Sequence, residues 1–181
     1  MTSIERLPAT PAAADLAALQ ALLRDAVEGG ASVGYVLPLP ETEVAAFWRG
    51  VLASVASGSR VLLVARDAGS RIVGTVQIEF AQRPNGRHRA EVQKLLVLRT
   101  HRGRGLGFTL MGAVEEIARE ARRTLLFLDT SCNGNALGLY ERCGYTRAGG
   151  IPRYAADPDG SLHDNVIFYK EIPGSPAAPL P

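Results

Sequence analysis

The run Arg102-Gly103-Arg104-Gly105-Leu106-Gly107 has the composition of an anion site. Glycines carry no Cβ, so backbone N–H groups can approach a phosphate closely. The run opens a helix-like stretch, Phe108 to Ala121, whose N-terminus adds unpaired N–H groups and partial positive charge. The two arginines supply the charge a pyrophosphate needs. A P-loop would follow its second glycine with Lys and then Ser or Thr, but Phe108 and Thr109 stand there. A dinucleotide fingerprint needs a different glycine spacing from the alternation of Gly103, Gly105 and Gly107. The run reads Arg-x-x-Gly-x-Gly, either a phosphate loop or a basic turn capping a surface helix.

The elements around it follow from hydrophobic period. Ser3 to Leu7 reads as a strand. Pro11 to Val27 has apolar residues at helical spacing (Leu16, Leu19, Leu22, Leu23) and stops at Gly29-Gly30. A loop spans 31–39, and a second helix runs from Glu41 to about Ser57 with Val44, Phe47, Trp48, Val51 and Leu52 as its apolar stripe. Strands are expected over 60–66 and 72–80, joined by a tight turn, then over 89–98 before the Gly-rich loop. After the third helix come a strand over 124–129, a short helix over 133–142, and strands over 145–148 and 165–172. The order predicts an α/β fold, a mixed sheet of about seven strands with helices on both faces. Its strand–helix–strand unit around the loop makes the fourth and fifth strands parallel neighbours.

With 181 residues the chain is expected to form one domain over 1–172, with a Pro- and Ala-rich disordered tail over 173–181. A net charge of +2 gives no reason to invoke nucleic acid. Two cysteines, Cys132 and Cys143, make no disulfide framework, and three scattered histidines offer no metal spacing. No leader-like apolar segment or membrane-length run is evident, so a cytoplasmic protein without a membrane partner is expected.

The Arg-x-x-Gly-x-Gly loop resembles the pyrophosphate loop of the GNAT superfamily of acyl-CoA N-acyltransferases. Asn133-x-Asn135 followed by Leu139-Tyr140-Glu141-Arg142-Cys143-Gly144-Tyr145 resembles the GNAT segment in which a helix lies along CoA. The resemblance extends over residues 3–172. A closer likeness is to the tabtoxin-resistance type of acetyltransferase, which modifies a small toxin on an amine. It is carried by Gly30-Ala31-Ser32-Val33-Gly34-Tyr35, Glu91-Val92-Gln93-Lys94-Leu95-Leu96-Val97, Thr124-Leu125-Leu126-Phe127-Leu128-Asp129-Thr130, Ala156-Asp157-Pro158-Asp159-Gly160 and Phe168-Tyr169-Lys170-Glu171.

The resemblance implies acetyl-CoA as co-substrate, without a metal. Backbone groups of Arg102, Gly103, Arg104, Gly105, Leu106 and Gly107 would cradle its pyrophosphate, and Leu96, Val97 and Leu98 would pair with pantetheine. The resemblance also implies a bulge that splays the fourth and fifth strands. The N–H of Val97 or Leu98 would face the thioester oxyanion, and Asn135 would bond pantetheine, though Asn133 or Asn135 could equally cap the helix. On strict alternation Glu91 shares a face with Gln93 and Leu95. Glu91 and Asp129 match acids assigned to the active site in the tabtoxin-resistance group. They would deprotonate the acceptor amine or bind its ammonium; the bland alternatives are an ion pair of Glu91 with Arg87 or Arg89 and a turn cap by Asp129. Tyr140 would protonate the leaving thiolate, or simply pack in the core. Ser32, Val33 and Tyr35 would line the acceptor side, with Trp48, His163 and Asp164 adding to it; the alternative for Tyr35 and Trp48 is core packing.

The function expected is acetyl transfer to a primary amine of a small molecule, a toxin or amino-acid-like metabolite, by direct attack in a ternary complex of a monomer or homodimer. The competing readings are a protein N-terminus or lysine as acceptor, and a non-catalytic acetyl-CoA sensor. An acyl-cysteine route through Cys132 or Cys143 is disfavoured, because no histidine lies near either in sequence.

Overall fold

The computed structural model describes residues 2–134 and 136–173. Strands β1 (Ser3–Arg6), β2 (Arg60–Arg66), β3 (Ile72–Phe80), β4 (Arg89–Val97), β5 (Leu125–Ser131), β6 (Thr146–Gly149) and β9 (Asn165–Glu171) form one sheet in the order β1-β2-β3-β4-β5-β9-β6. Strands β7 (Ala155–Ala156) and β8 (Leu162–His163) make a separate small hairpin. Every pairing in the large sheet is antiparallel except β4 with β5. The strand–helix–strand unit between those two requires that parallel pair.

Helices α1 (Ala13–Glu28) and α2 (Glu41–Ala56) cover one face. Their buried Leu19, Leu22, Leu23, Val44 and Trp48 pack with Leu62, Val64 and Leu96 of the sheet. Helices α3 (Leu106–Glu120) and α4 (Leu137–Arg142) cover the other. There Leu110, Met111, Val114 and Tyr140 meet Leu63, Val76, Ile78, Leu126 and Phe168. Period-two strands thus send alternate residues into two apolar layers.

Boundaries depart from the expected ones where local chemistry decides them. Helix α3 starts at Leu106, two residues early, because Gly105 takes a left-handed conformation (φ 79°) just ahead of it. Strand β5 runs on to Ser131 because β9 pairs with its whole length. Helix α4 begins only at Leu137, since Gly134 N–H turns back onto the Ser131 carbonyl. The β7–β8 hairpin has no counterpart in the hydrophobic period. Residues 174–181 of the expected tail lie outside the described residues.

Candidate active site

The site begins with a separation of two strands. β4 and β5 pair only as Arg89–Leu125, Ala90–Leu126 and Glu91–Phe127. Beyond Phe127, β5 stays with β9 as far as Ser131, while β4 stays with β3 as far as Val97. A gap opens between them. Its cause is a bulge in β4: Gln77 faces Gln93 and Thr75 faces Leu96, leaving two β4 residues opposite Val76. Lys94 absorbs the irregularity with φ 50°, an uncommon conformation for a residue with a side chain. Such a bulge bends its strand and raises its twist. It also overturns the strict alternation. Leu96, not Leu95, joins the face of Glu91 and Gln93 and packs with the α1–α2 layer, while Leu95 packs on the α3 side.

The backbone beyond the bulge has an open donor. Leu98 N–H donates to the Val73 carbonyl at 3.0 Å. In an antiparallel ladder the preceding residue then turns its N–H and C=O the other way, toward the gap. The Val97 carbonyl, on that side, accepts from Arg102 Nε at 3.1 Å. Of the two candidates for an oxyanion donor, Leu98 is therefore occupied by β3, and Val97 faces the space that β5 has left.

Gly103 and Gly105 both have left-handed backbones (φ 73° and 79°), and no atom lies within 4 Å of where a Cβ would stand on either. None of the backbone N–H groups of residues 103–108 donates to a protein acceptor among the described residues. They stand at the N-terminus of α3, which has no side-chain cap. Arg102 and Arg104 are exposed beside them, Arg104 tied to the Thr100 carbonyl at 3.0 Å. Orphan donors, helix dipole and arginines fit a pyrophosphate. Gly107 serves packing: a Cβ there would come within 3.0 Å of Leu139 on α4. Asn135 lies outside the described residues.

Glu91 stands at the last rung before the gap and Asp129 two residues beyond the other strand's last rung, on the same face. Glu91 is half-buried and makes no ion pair with Arg87 or Arg89; the Arg89 guanidinium lies over the Phe127 ring instead. Burial raises the Glu91 carboxyl above the ordinary range, and the Glu79 and Asp129 charges add to this. A hydrogen bond from Gln93 and the charge of Arg60 act the other way. Glu79, directly across on β3, is held by Arg60 (2.5 Å) and Gln93 (3.1 Å). Asp129 is exposed, and among the described residues no hydrogen bond fastens its carboxylate as a turn cap.

Tyr140 is buried against Tyr145 and Phe168, with ring centroids 6.2 and 5.7 Å away. Its phenol is pushed well up by burial, then by Cys143 and Asp129, so it carries its proton throughout the working pH range. Its hydroxyl is not sealed off without a partner, as that of Tyr145 is. Cys143 is buried with its thiol pushed up, chiefly by burial, a poor setting for a nucleophile. Cys132 contacts Asn133 Oδ1 at 3.5 Å.

The loop at 31–39 crosses the gap. At one end Ser32 Oγ lies 3.3 Å from Nε2 of His163, which closes the hairpin just past the end of β5. At the other, a Cβ on Gly34 would lie 3.5 Å from Lys94 Nζ. Val33 and Tyr35 pack beneath, Tyr35 edge-on to Phe47 at 5.9 Å. Trp48 takes the core alternative: it is fully buried between α1, α2 and the sheet. Asp164 is spent on the Arg153 N–H at 2.8 Å.

Lys94 is the residue that sequence reasoning missed. Its ammonium lies 5.9 Å from the Phe47 ring centroid, and burial lowers its pKa against the opposing pull of Asp129. The available signal was a lysine flanked by Gln93 and Leu95, breaking the alternation of an otherwise regular strand. No cluster of His, Cys, Asp or Glu among the described residues is arranged to hold a metal.

A sheet splayed between two parallel strands, beside a helix N-terminus with free N–H groups, is the architecture of an acyltransferase fold. Residues 36–145 match the acetyltransferase (GNAT) family, and the chain belongs to it. It is 30% identical over 117 residues to N-acetyltransferase 8B of Rattus norvegicus, a match covering 64% of this chain and 51% of that protein. The chain thus spans about half the length of the curated relative it matches. Among solved structures, a phosphinothricin acetyltransferase of Sinorhizobium meliloti in complex with acetyl-CoA has a TM-score of 0.80 at 16% identity, covering 99% of this chain and 93% of that one. A ribosomal-protein-alanine N-acetyltransferase of Brucella melitensis has a TM-score of 0.76 at 24% identity, covering 93% and 99%. No helix of the described residues is long and apolar enough to cross a membrane.

Proposed function

We propose that this chain transfers the acetyl group of acetyl-CoA to a primary amine of a small molecule by direct attack, without an acyl-enzyme. The observation that carries this reading is the gap between β4 and β5, with the Val97 N–H on one wall and Asp129 on the other. When bound, acetyl-CoA supplies an activated acetyl thioester. The N–H groups of residues 103–108, with Arg102 and Arg104, hold its pyrophosphate. Leu96 and Val97 present a strand edge to pantetheine, and Val97 N–H donates to the thioester oxygen as negative charge develops there. Glu91 and Asp129 attract the acceptor's ammonium. Glu91, with its raised pKa, takes the proton, since a base works best with a pKa nearer the operating pH. The Tyr140 hydroxyl returns a proton to the departing sulfur. Ser32, Val33 and Tyr35 close the acceptor side, which favours a small amine over an extended peptide.

The test is thiol release from acetyl-CoA across a panel of small amines, amino-acid-like toxins included, and a panel of peptides. Release with small amines supports the reading. Release with peptides alone overturns the acceptor class. Tight acetyl-CoA binding with no release for any amine overturns the enzyme in favour of a sensor.

A further inference from the structure

Three residues from three separate segments meet at the edge of the gap. His163 is almost fully buried, its side chain 3% exposed. Its Nε2 lies 3.3 Å from Ser32 Oγ on the α1–α2 loop. Its Nδ1 lies 3.1 Å from Asp157 Oδ1, which follows β7. The Nδ1 approach is short but bent, so that nitrogen has no aligned hydrogen-bond acceptor. Catalytic contacts are commonly loose before a ligand seats and tighten in the complex. In the tautomer protonated at Nδ1, on the Asp157 side, Nε2 is bare and is the nitrogen that faces the serine hydroxyl. Beside the serine, the backbone N–H groups of residues 32–36 donate to no protein acceptor among the described residues. A contact that only fastened the loop would need neither the carboxylate behind the imidazole nor open N–H groups beside the hydroxyl. Leu37 N–H already fastens the loop, through the Pro158 carbonyl at 2.8 Å.

We infer that Ser32, His163 and Asp157 form a nucleophilic serine centre that accepts acyl groups from small activated esters, an activity that needs no CoA. Hydroxyl, imidazole and carboxylate stand in the order such a centre requires, and the loop that carries the hydroxyl has N–H groups taken by no protein acceptor among the described residues. Ser32 Oγ attacks the ester carbonyl carbon while its proton passes to His163 Nε2. The tetrahedral oxygen takes hydrogen bonds from the free N–H groups of the loop. The alkoxide or phenolate departs, taking the proton from His163 or leaving it to solvent. A water, deprotonated by His163, then cleaves the acyl-serine and releases the carboxylic acid, restoring Ser32. Asp157 touches no substrate atom. It is a positioning residue that holds the imidazole tautomer.

The test uses the full chain without acetyl-CoA. A fluorophosphonate reagent should add a single phosphonyl group, mapped by peptide mass spectrometry to Ser32, with fluoride as leaving group. p-Nitrophenyl acetate should be hydrolysed with an initial burst that Ser32→Ala removes. Asp157→Asn should slow labelling at least tenfold, and His163→Gln should abolish it. His163 is buried, so His163→Gln counts only if its thermal unfolding remains cooperative; Asp157→Asn, at a partly exposed site, carries the test in either case. An unlabelled Ser32 in the wild-type chain overturns the inference, as does labelling at an unchanged rate in Asp157→Asn. Since acetyl-CoA is absent throughout, neither result depends on the transferase reading.

Discussion

Glu91 and Phe127 are the last residues through which β4 and β5 touch as neighbours in the sheet. One strand beyond this rung carries a bulge and the other does not, so the hydrogen-bonding edge of β4 is left without its partner. A sheet edge held open inside a domain is an unusual cost, since unpaired backbone groups invite pairing. On the proposed reading, the edge is the one that pantetheine takes.

Gly105→Val should weaken acetyl-CoA binding at least tenfold, about 1.4 kcal/mol. No neighbour blocks a side chain there, so the penalty comes from the left-handed backbone, which a β-branched residue resists. The N–H groups that follow are then re-aimed. Isothermal calorimetry on a folded variant checks this, and unchanged affinity would place the phosphates elsewhere.

Tyr140→Phe should lower turnover by ~10²–10⁴-fold, the usual worth of general acid catalysis, with acetyl-CoA affinity nearly unaltered. The ring contacts with Tyr145 and Phe168 survive the change. Full turnover in the variant would reduce Tyr140 to a packing residue.

Glu91→Gln should reduce the rate at neutral pH and recover part of it as pH nears the amine's own pKa, where the acceptor needs no base. A loss confined to apparent acceptor affinity would make Glu91 an ammonium binder instead. Wild-type kinetics across the pH range would eliminate both roles, and Asp129→Asn would become the deciding variant.

The acid limb of the pH–rate profile offers an independent check. The limb follows the base losing its competence on protonation, so a raised Glu91 pKa moves it above the ordinary carboxylate range. Glu79→Gln removes a charge that raises that pKa and leaves Arg60, which lowers it. The limb should therefore shift to lower pH. A limb that stays in place would mean that another group titrates.

Away from the site, Arg66 is held by Asp15 at 2.7 and 2.8 Å and by Glu5 at 2.6 Å, tying α1 and β1 to the end of β2. The hydrogen bonds from Arg66 hold the Asp15 carboxyl below its usual range, against the effect of burial. A carboxyl depressed by folding stabilises above its unfolded pKa and loses that contribution as pH falls through the folded value. Asp15→Asn should cost about 1–3 kcal/mol at neutral pH. The difference between variant and wild type in urea unfolding should shrink as pH drops below about 4. A constant difference down to low pH would refute the charge-based account.

Much of the scaffold was legible because its signals are local. Gly103 and Gly105, read from six adjacent residues, both take the left-handed backbone of a tight turn ahead of α3, and the strand–helix–strand period around them dictates parallel β4 and β5. The bulge was implied only by family likeness, since an extra residue in β4 exists only relative to β3. That bulge moved Leu95 to the opposite face and made Lys94 a wall of the gap. Whether Val97 or Leu98 offers a free N–H likewise depends on where Val73 points. The hairpin of β7 and β8 has two residues per strand, too few to show a period, so Asp157 and the setting of His163 were hidden. Trp48 shows the limit of the period: the helical stripe makes it core or acceptor wall alike, and only the packed structure decides for core.

The two halves of the site have different origins along the chain. The Gly-rich turn and the open edge come from one unbroken stretch between β4 and β5, closed by a single short-range crossover. The cover over the gap is assembled from the chain's early loop and its late hairpin, joined to each other through Leu37 and Pro158 and through Ser32 and His163. Insertions or substitutions in either outlying piece recut that cover while β4 and α3 keep their register. On the proposed reading, a lineage built this way exchanges acceptors by editing its margins and leaves the donor side untouched.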